Sequence, residues 1–332
     1  MKNKYRRMVG ILILLPLISA PVFSKKITEL PDVLKPRDIR ILGNRMYVVE
    51  DYSILLYSLP DFKLVKKFLK KGNGPGEAPK YIFLTVVPDK LVINTLGKLL
   101  LFSLSGEYIS EMKVDYQTDR FYPVGNNYIG AKIILDPKHK RHAQYIKLYD
   151  KNLKEIREIY KGSLGSYTVF FSGESKKQDD EVIKDSVRHF VYEDRIYIAD
   201  TTKGFFFAVF DSDGNQLYEI NNPYEKHKVT DEYKKKVLKE LEQSPEAEYY
   251  NFVFRDFFPA FKSVLFADDR IYLTTHPYAN DRCEIIAMDL KGKILKKATV
   301  PDTHLFTVDK GKFYYLEENI DEEIWELKVE VI

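Results

Sequence analysis

The chain has 332 residues, of which 45% are hydrophobic, 14% aromatic and 30% charged, enough apolar material to bury a core and too much for a disordered chain. Lys and Arg number 52 against 49 Asp and Glu, a formal net charge of +3, so positive charge is not concentrated as nucleic-acid binding requires. The single cysteine, Cys283, excludes an intramolecular disulfide; it stands in the apolar run 283–288 without a companion histidine motif and reads as a small strand hydrophobe.

Residues 1–24 read as a Sec-type signal peptide. Lys2, Lys4, Arg6 and Arg7 make a basic start, Val9 to Ile18 is a short apolar run broken only by Gly10 and Pro16, and Val22-Phe23-Ser24 offers a processing point. The run is shorter than the roughly 20 residues that span a bilayer, although an uncleaved anchor is the alternative. No Cys near the processing point supports a lipid anchor. The mature chain is expected to begin near Lys25, to be periplasmic or secreted, and to carry no membrane span.

Six short apolar strands with a Tyr or Val at the centre follow, at Tyr47, Val92, Tyr128, Tyr197, Tyr272 and Tyr314. The intervals are 45, 36, 69, 75 and 42 residues, close to a propeller-blade period in three cases. A second apolar strand follows each copy. In the first five a turn rich in Gly, Asn or Asp then leads to a more polar strand, as at Ser105-Gly106-Glu107 and Lys291-Gly292-Lys293. The last copy ends after Ile324 to Val331 and lacks that strand. Lys25 to Asp32 matches Lys296 to Asp302 and supplies it from the other end of the chain. This predicts an all-β, six-bladed propeller of four-stranded antiparallel blades over 25–332, a single domain whose N-terminal strand closes the last blade.

The two long intervals hold insertions, at about 162–185 and 223–261. In the second, Thr230 is a candidate helix cap and Tyr233, Val237 and Leu241 recur at helical spacing, which predicts one helical insert. Lys234-Lys235-Lys236 beside Glu232 and Glu240 reads as its solvated face. Phe252 to Phe261 form an aromatic cluster that either docks the insert on the ring or lines a partner site. His139 and His142, among Lys138, Lys140 and Arg141, read as exposed in a long loop.

At Lys71-Gly72-Asn73-Gly74-Pro75-Gly76-Glu77 the chain resembles a family of bacterial exported six-bladed propellers related to NHL-repeat proteins, which carry a Gly-x-Gly-Pro-Gly-Glu loop after the first blade and a charged helical insert late in the chain. Tyr197-Ile198-Ala199-Asp200 is similar to the core of an NHL repeat. The chain departs from the pattern at Ala78-Pro79, where an aromatic is common. The resemblance implies fold and export rather than an activity.

Three groups of residues are candidates for function. The loop residues Gly74, Gly76 and Glu77 offer either an anion-binding nest of backbone N–H groups or a tight connector between blades. Residues ending the second strand of each blade, among them Asp51, Asn94, Asp200 and His276, either converge on the channel or bond their own turns. Oxygen ligands there with a histidine are the composition of a Ca²⁺ or other divalent site. His189 and His304 begin innermost strands and are expected near the channel. The reading is a monomeric binding scaffold for a protein, glycan or small-molecule ligand, without a required cofactor. The alternative is a metal-dependent hydrolase or lyase, lactonase-like, with a divalent cation in the channel.

Overall fold

The computed structural model describes residues 24–115, 118–136, 141–164, 178–277 and 281–332. The signal-peptide reading of residues 1–24 therefore falls almost wholly outside the described residues. Six four-stranded antiparallel sheets follow one another along the chain, as 38–68, 83–113, 118–164, 187–221, 263–301, and 306–331 completed by Lys25–Leu30. They are numbered here as blades 1 to 6. Within each, the first strand is innermost and the fourth is outermost. Lys25–Leu30 pairs antiparallel with Ile324–Val331, from Lys25 opposite Val329 to Leu30 opposite Trp325. Ring closure by the N-terminal strand is thus as predicted.

The repeat is maintained by turn chemistry. Asp150, Asp211 and Asp289 each accept two backbone N–H bonds through Oδ1 at the turn between third and fourth strands, and Ser103 takes the same place in blade 2. A short polar side chain that folds back on the next backbone amides fixes the turn locally. A bulge follows in the third–fourth pairing of blades 1 to 5 and again between Lys26 and Thr28 in blade 6.

The core is a ring of interfaces. Tyr47, Leu56, Leu84, Ile93 and Leu100 join blades 1 and 2; Val92, Phe121, Tyr128 and Tyr149 join 2 and 3. Ile129, Ile146, Ile198 and Phe206 join 3 and 4; Tyr197, Phe207, Phe261 and Ile271 join 4 and 5. Tyr272, Ile285, Phe306 and Phe313 join 5 and 6, and Leu30, Leu327, Met46 and Tyr57 join 6 to 1. Successive side chains of a strand point to opposite faces, so each blade feeds both neighbours. Cys283 is buried in the fifth interface, and burial pushes its thiol up to about 12, which leaves it the packing role expected.

The connections divide between two faces. One carries only tight turns. The other carries the second-to-third loops, the blade-to-blade connectors and both insertions, and is called the loop face here. The helix Asp231–Leu241 forms as predicted, with Thr230 Oγ1 accepting from the Tyr233 N–H at 3.2 Å. Phe258 stacks edge-on to Tyr233 and packs with Ile183 and Val229, while Phe261 lies on Phe207. The aromatic cluster therefore docks the insert on the ring.

Two expectations are corrected. The stretch around His142 is not loop: Asn127–Asp136 and Arg141–Tyr149 form a long hairpin, with His142 opposite Leu135 and Leu164. The β-branched and apolar run Ile133-Ile134-Leu135 carries the strand past the repeat's usual length. His139 lies outside the described residues. The first insertion correspondingly starts later than 162, because Gly162 to Leu164 belong to the strand Glu155–Leu164. Its far end, Gln178–Glu181, then pairs parallel with Tyr250–Val253 of the second insertion, and the two insertions clasp each other.

Candidate functional site

Each blade's second strand ends on the loop face, so Asp51, Asn94, Asp200 and His276 stand on that face as expected. Their side chains are largely committed to the ring itself. Asn94 is buried and bridges blades 2 and 3: Nδ2 donates to the Phe121 carbonyl at 3.0 Å and Oδ1 accepts from the Phe121 N–H at 2.7 Å. Asp200 is buried and caps the short 3₁₀ turn Thr201–Lys203, accepting from the Thr202 N–H at 3.0 Å and from the Tyr160 hydroxyl at 2.6 Å. Asp51 pairs with Arg37. Its neighbour Glu50 accepts from the Leu34 N–H at 2.8 Å and from Lys67 at 2.9 Å. Burial opposes ionisation of Glu50, and these donors outweigh it and hold the carboxylate below its ordinary range.

His276 is the exception. Its ring stacks on Phe258, centroids 4.6 Å apart. Burial lowers its pKa to about 4, assisted by the charges of Lys262, Arg255 and Arg188. Lys262 is bridged to Asp302 at 2.6 Å and Arg255 to Asp185 at 2.8 Å. A neutral imidazole therefore stands among cations, able to accept or donate a hydrogen bond at neutral pH.

His189 is buried in the blade 3–4 seam, with Nε2 3.0 Å from the Arg120 carbonyl and its ring edge-on to Tyr122. His304 is exposed beside Asp38. Desolvation raises the Asp38 carboxyl, and Arg40, Arg120 and His304 oppose that rise. Asp38 opens blade 1, Arg120 lies in blade 3 and His304 precedes blade 6, so these groups face one another across the inner ring.

The glycine loop is filled by the protein's own carboxylates. The Gly74 N–H donates to Glu77 Oε2 at 2.8 Å and the Gly76 N–H to Glu111 Oε2 at 3.0 Å. Lys98 Nζ closes the other side on the Asn73 and Gly74 carbonyls. Gly76 holds φ at +69°, and a Cβ there would sit 2.9 Å from the Tyr108 ring. The glycines thus serve a tight connector whose amides an internal anion already satisfies.

Among the described residues, one group of three carboxylates, Glu29, Glu322 and Glu326, comes close enough to share a cation. It lies at the closing strand rather than in the channel, and Lys26 meets Glu326 at 2.7 Å there. The loop face carries a further feature, the exposed rings of Tyr81 and Phe83 with cations lying on them. Their signal was weak, since no spacing rule connects Arg37 to Tyr81 or Arg120 to Phe83.

No protein-family model matches the chain, and no curated protein matches it. Solved structures do. BamB from Moraxella catarrhalis is similar at 9% identity with a TM-score of 0.41, over 93% of this chain and 100% of that one. Hsv2 of Kluyveromyces lactis is similar at 9% identity and a TM-score of 0.40, over 89% and 97%. The β-propeller domain of Cps50 (Swd1) from Myceliophteria thermophila gives 9% and 0.43, over 92% and 99%. The NHL-type resemblance rests on the residues quoted for it. No helix among the described residues is long and apolar enough to cross a membrane.

Proposed function

We propose that the protein is an exported binding scaffold that holds a protein, glycan or small ligand on the loop face of its propeller. One observation carries this reading. Among the described residues, the large apolar side chains that stand exposed fall into two sets, apart from Val331 in the last strand. One set lies along the outermost strands. The other, including Leu34, Tyr81, Phe83, Leu96, Phe257 and Ile320, is on the loop face. Exposed apolar side chains that share a face offer surface that a partner can bury. Neutral His276 beside Arg188 and Lys262 adds polar recognition to the same face.

The basic start and short apolar run of residues 1–24 support export, and exported material should begin near Lys25 by N-terminal sequencing. The scaffold reading is tested by a thermal-shift screen of glycans, peptides and lactones, followed by His276→Ala and Tyr81→Ala beside the turn-face control Lys154→Ala. Weakened binding in the first two alone is expected. Ligands lost only in the control would overturn the reading.

A further inference from the structure

Resting on that loop-face reading, we propose that the stretch spanning blades 1 to 3 docks an extended, acidic and apolar segment of a protein partner. Three aromatic rings on this face each carry a cation. Lys71 Nζ lies 5.0 Å from the centre of Tyr52, the Arg37 guanidinium 4.9 Å from Tyr81, and the Arg120 guanidinium 4.0 Å from Phe83. The stacks are continuous. Tyr52 follows Asp51, which pairs with Arg37; Tyr81 and Phe83 flank buried Ile82; and Arg120 reaches the field of Asp38, next to Arg37. The row runs from the glycine connector toward the inner ring.

The third stack depends on a backbone feature found in one blade. The pairing of first and second strands is regular in blades 1, 2, 4, 5 and 6. In blade 3 the register shifts between Asp119 and Tyr122, and Arg120 holds φ at +44°. A bulge re-aims a side chain, and a non-glycine residue kept at positive φ costs free energy that local packing must offset. Here the re-aimed side chain is the arginine that lies over Phe83.

The partner's chemistry follows from charge and shape. Arg37 is balanced by Asp51 and Lys70 by Glu77, while Lys35, Lys71 and Lys80 add positive charge beyond those pairs. Leu34 and Tyr81 present exposed apolar surface between them, at 71% and 51%. Cations stacked on aromatic rings are typical anchors of protein interfaces, and a positively charged face favours carboxylates on the partner. A row of stacks suits a strand-like segment that alternates acidic and apolar side chains.

The test uses full-length mature protein and a fluorescein-labelled peptide repeating Asp-Leu-Glu-Phe, read by anisotropy. Matching peptides carry Asn and Gln, or Lys, in place of the acids, and a single-stranded oligonucleotide serves as a competitor. The acidic peptide should bind most tightly and weaken with salt. Arg120→Ala and Tyr81→Ala should each raise its Kd by about tenfold, with Lys154→Ala unchanged. Arg120→Lys keeps the charge without the planar stack and should recover only part of the loss. Equal binding of the three peptides, parental affinity in folded Arg120→Ala and Tyr81→Ala, or tighter binding of the oligonucleotide overturns the proposal. If that happens while other ligands remain sensitive to His276→Ala, the loop-face reading stands and only the partner's chemistry is wrong.

Discussion

His276 is a titrating residue whose environment shapes the protein's behaviour below neutrality. Its imidazole is flat on Phe258, and burial with Lys262, Arg255 and Arg188 nearby lowers its pKa from 6.5 to about 4. Between those values the unfolded chain binds the proton and the folded chain does not. Stability is therefore unaffected above pH 6.5 and falls as the pH drops from 6.5 toward 4, by at most ~3 kcal/mol from this group. Replacing His276 by Phe preserves the stack and removes the proton, so urea midpoints of His276→Phe should decline less than those of the parent across this window. An imidazole that titrates near its ordinary value by NMR would contradict the burial argument. Glu77 and Glu111 make the complementary point. Both are carboxylates that occupy the amides of Gly74 and Gly76, the donors an external anion would need.

At the scale of elements, the closing strand matters most. Lys25–Leu30 buries Leu30 and places Lys26 against Glu326 at 2.7 Å. The Lys26 ammonium holds the Glu326 carboxyl down to about 2. Without this strand, Ile324–Val331 would present an unpaired edge to solvent, and edges of this length invite association. Deleting residues 25–33 should lower Tm, broaden the transition and promote aggregation seen by light scattering. An unchanged, sharp transition would mean that the ring does not depend on closure here. The insertions behave differently. The helix Asp231–Leu241 has no buried residue, and it is held through Tyr233 on Phe258 and Lys236 on Asp281, while the 178–181 and 250–253 strands tie the two insertions together.

The whole molecule is a closed set of six interfaces, each drawing residues from two blades. No blade owns its core, so damage at one interface should be felt by all. Leu100 is fully buried between blades 1 and 2. Leu100→Ala should cost about 2–5 kcal/mol. Trp325, which donates to the Leu34 carbonyl from blade 6, reports from the neighbouring interface, between blades 6 and 1. Its fluorescence midpoint in urea should shift together with the far-ultraviolet circular dichroism midpoint. A Trp325 midpoint that stays at the parental value would show that blades unfold one at a time. Ring closure also explains why one face can gather residues from distant parts of the sequence.

Much of the fold was legible in the sequence because its determinants are local. Strand alternation around Tyr47, Tyr197 and Tyr272, the Asp and Gly turns, and the Thr230 cap each act within a few residues. The terminal match between Lys25 and Lys296 revealed the closure because equivalent strands of a repeat share a pattern. The sequence also placed Asp51, Asn94, Asp200 and His276 at equivalent strand ends. It could not show that Asn94 is spent on Phe121 or Asp200 on Tyr160 and Thr202, since those partners lie in other strands or depend on backbone geometry. The clasp between insertions joins segments 72 residues apart, and the stacks of Arg37 on Tyr81 and Arg120 on Phe83 form only when blades 1 to 3 are set side by side. Local propensity and repeat period determined which strands form and how many blades there are. Which polar groups are consumed by the ring and which remain on its loop face was decided by tertiary closure, because hydrogen bonds and ring stacking depend on distances of a few ångströms that sequence separation does not measure.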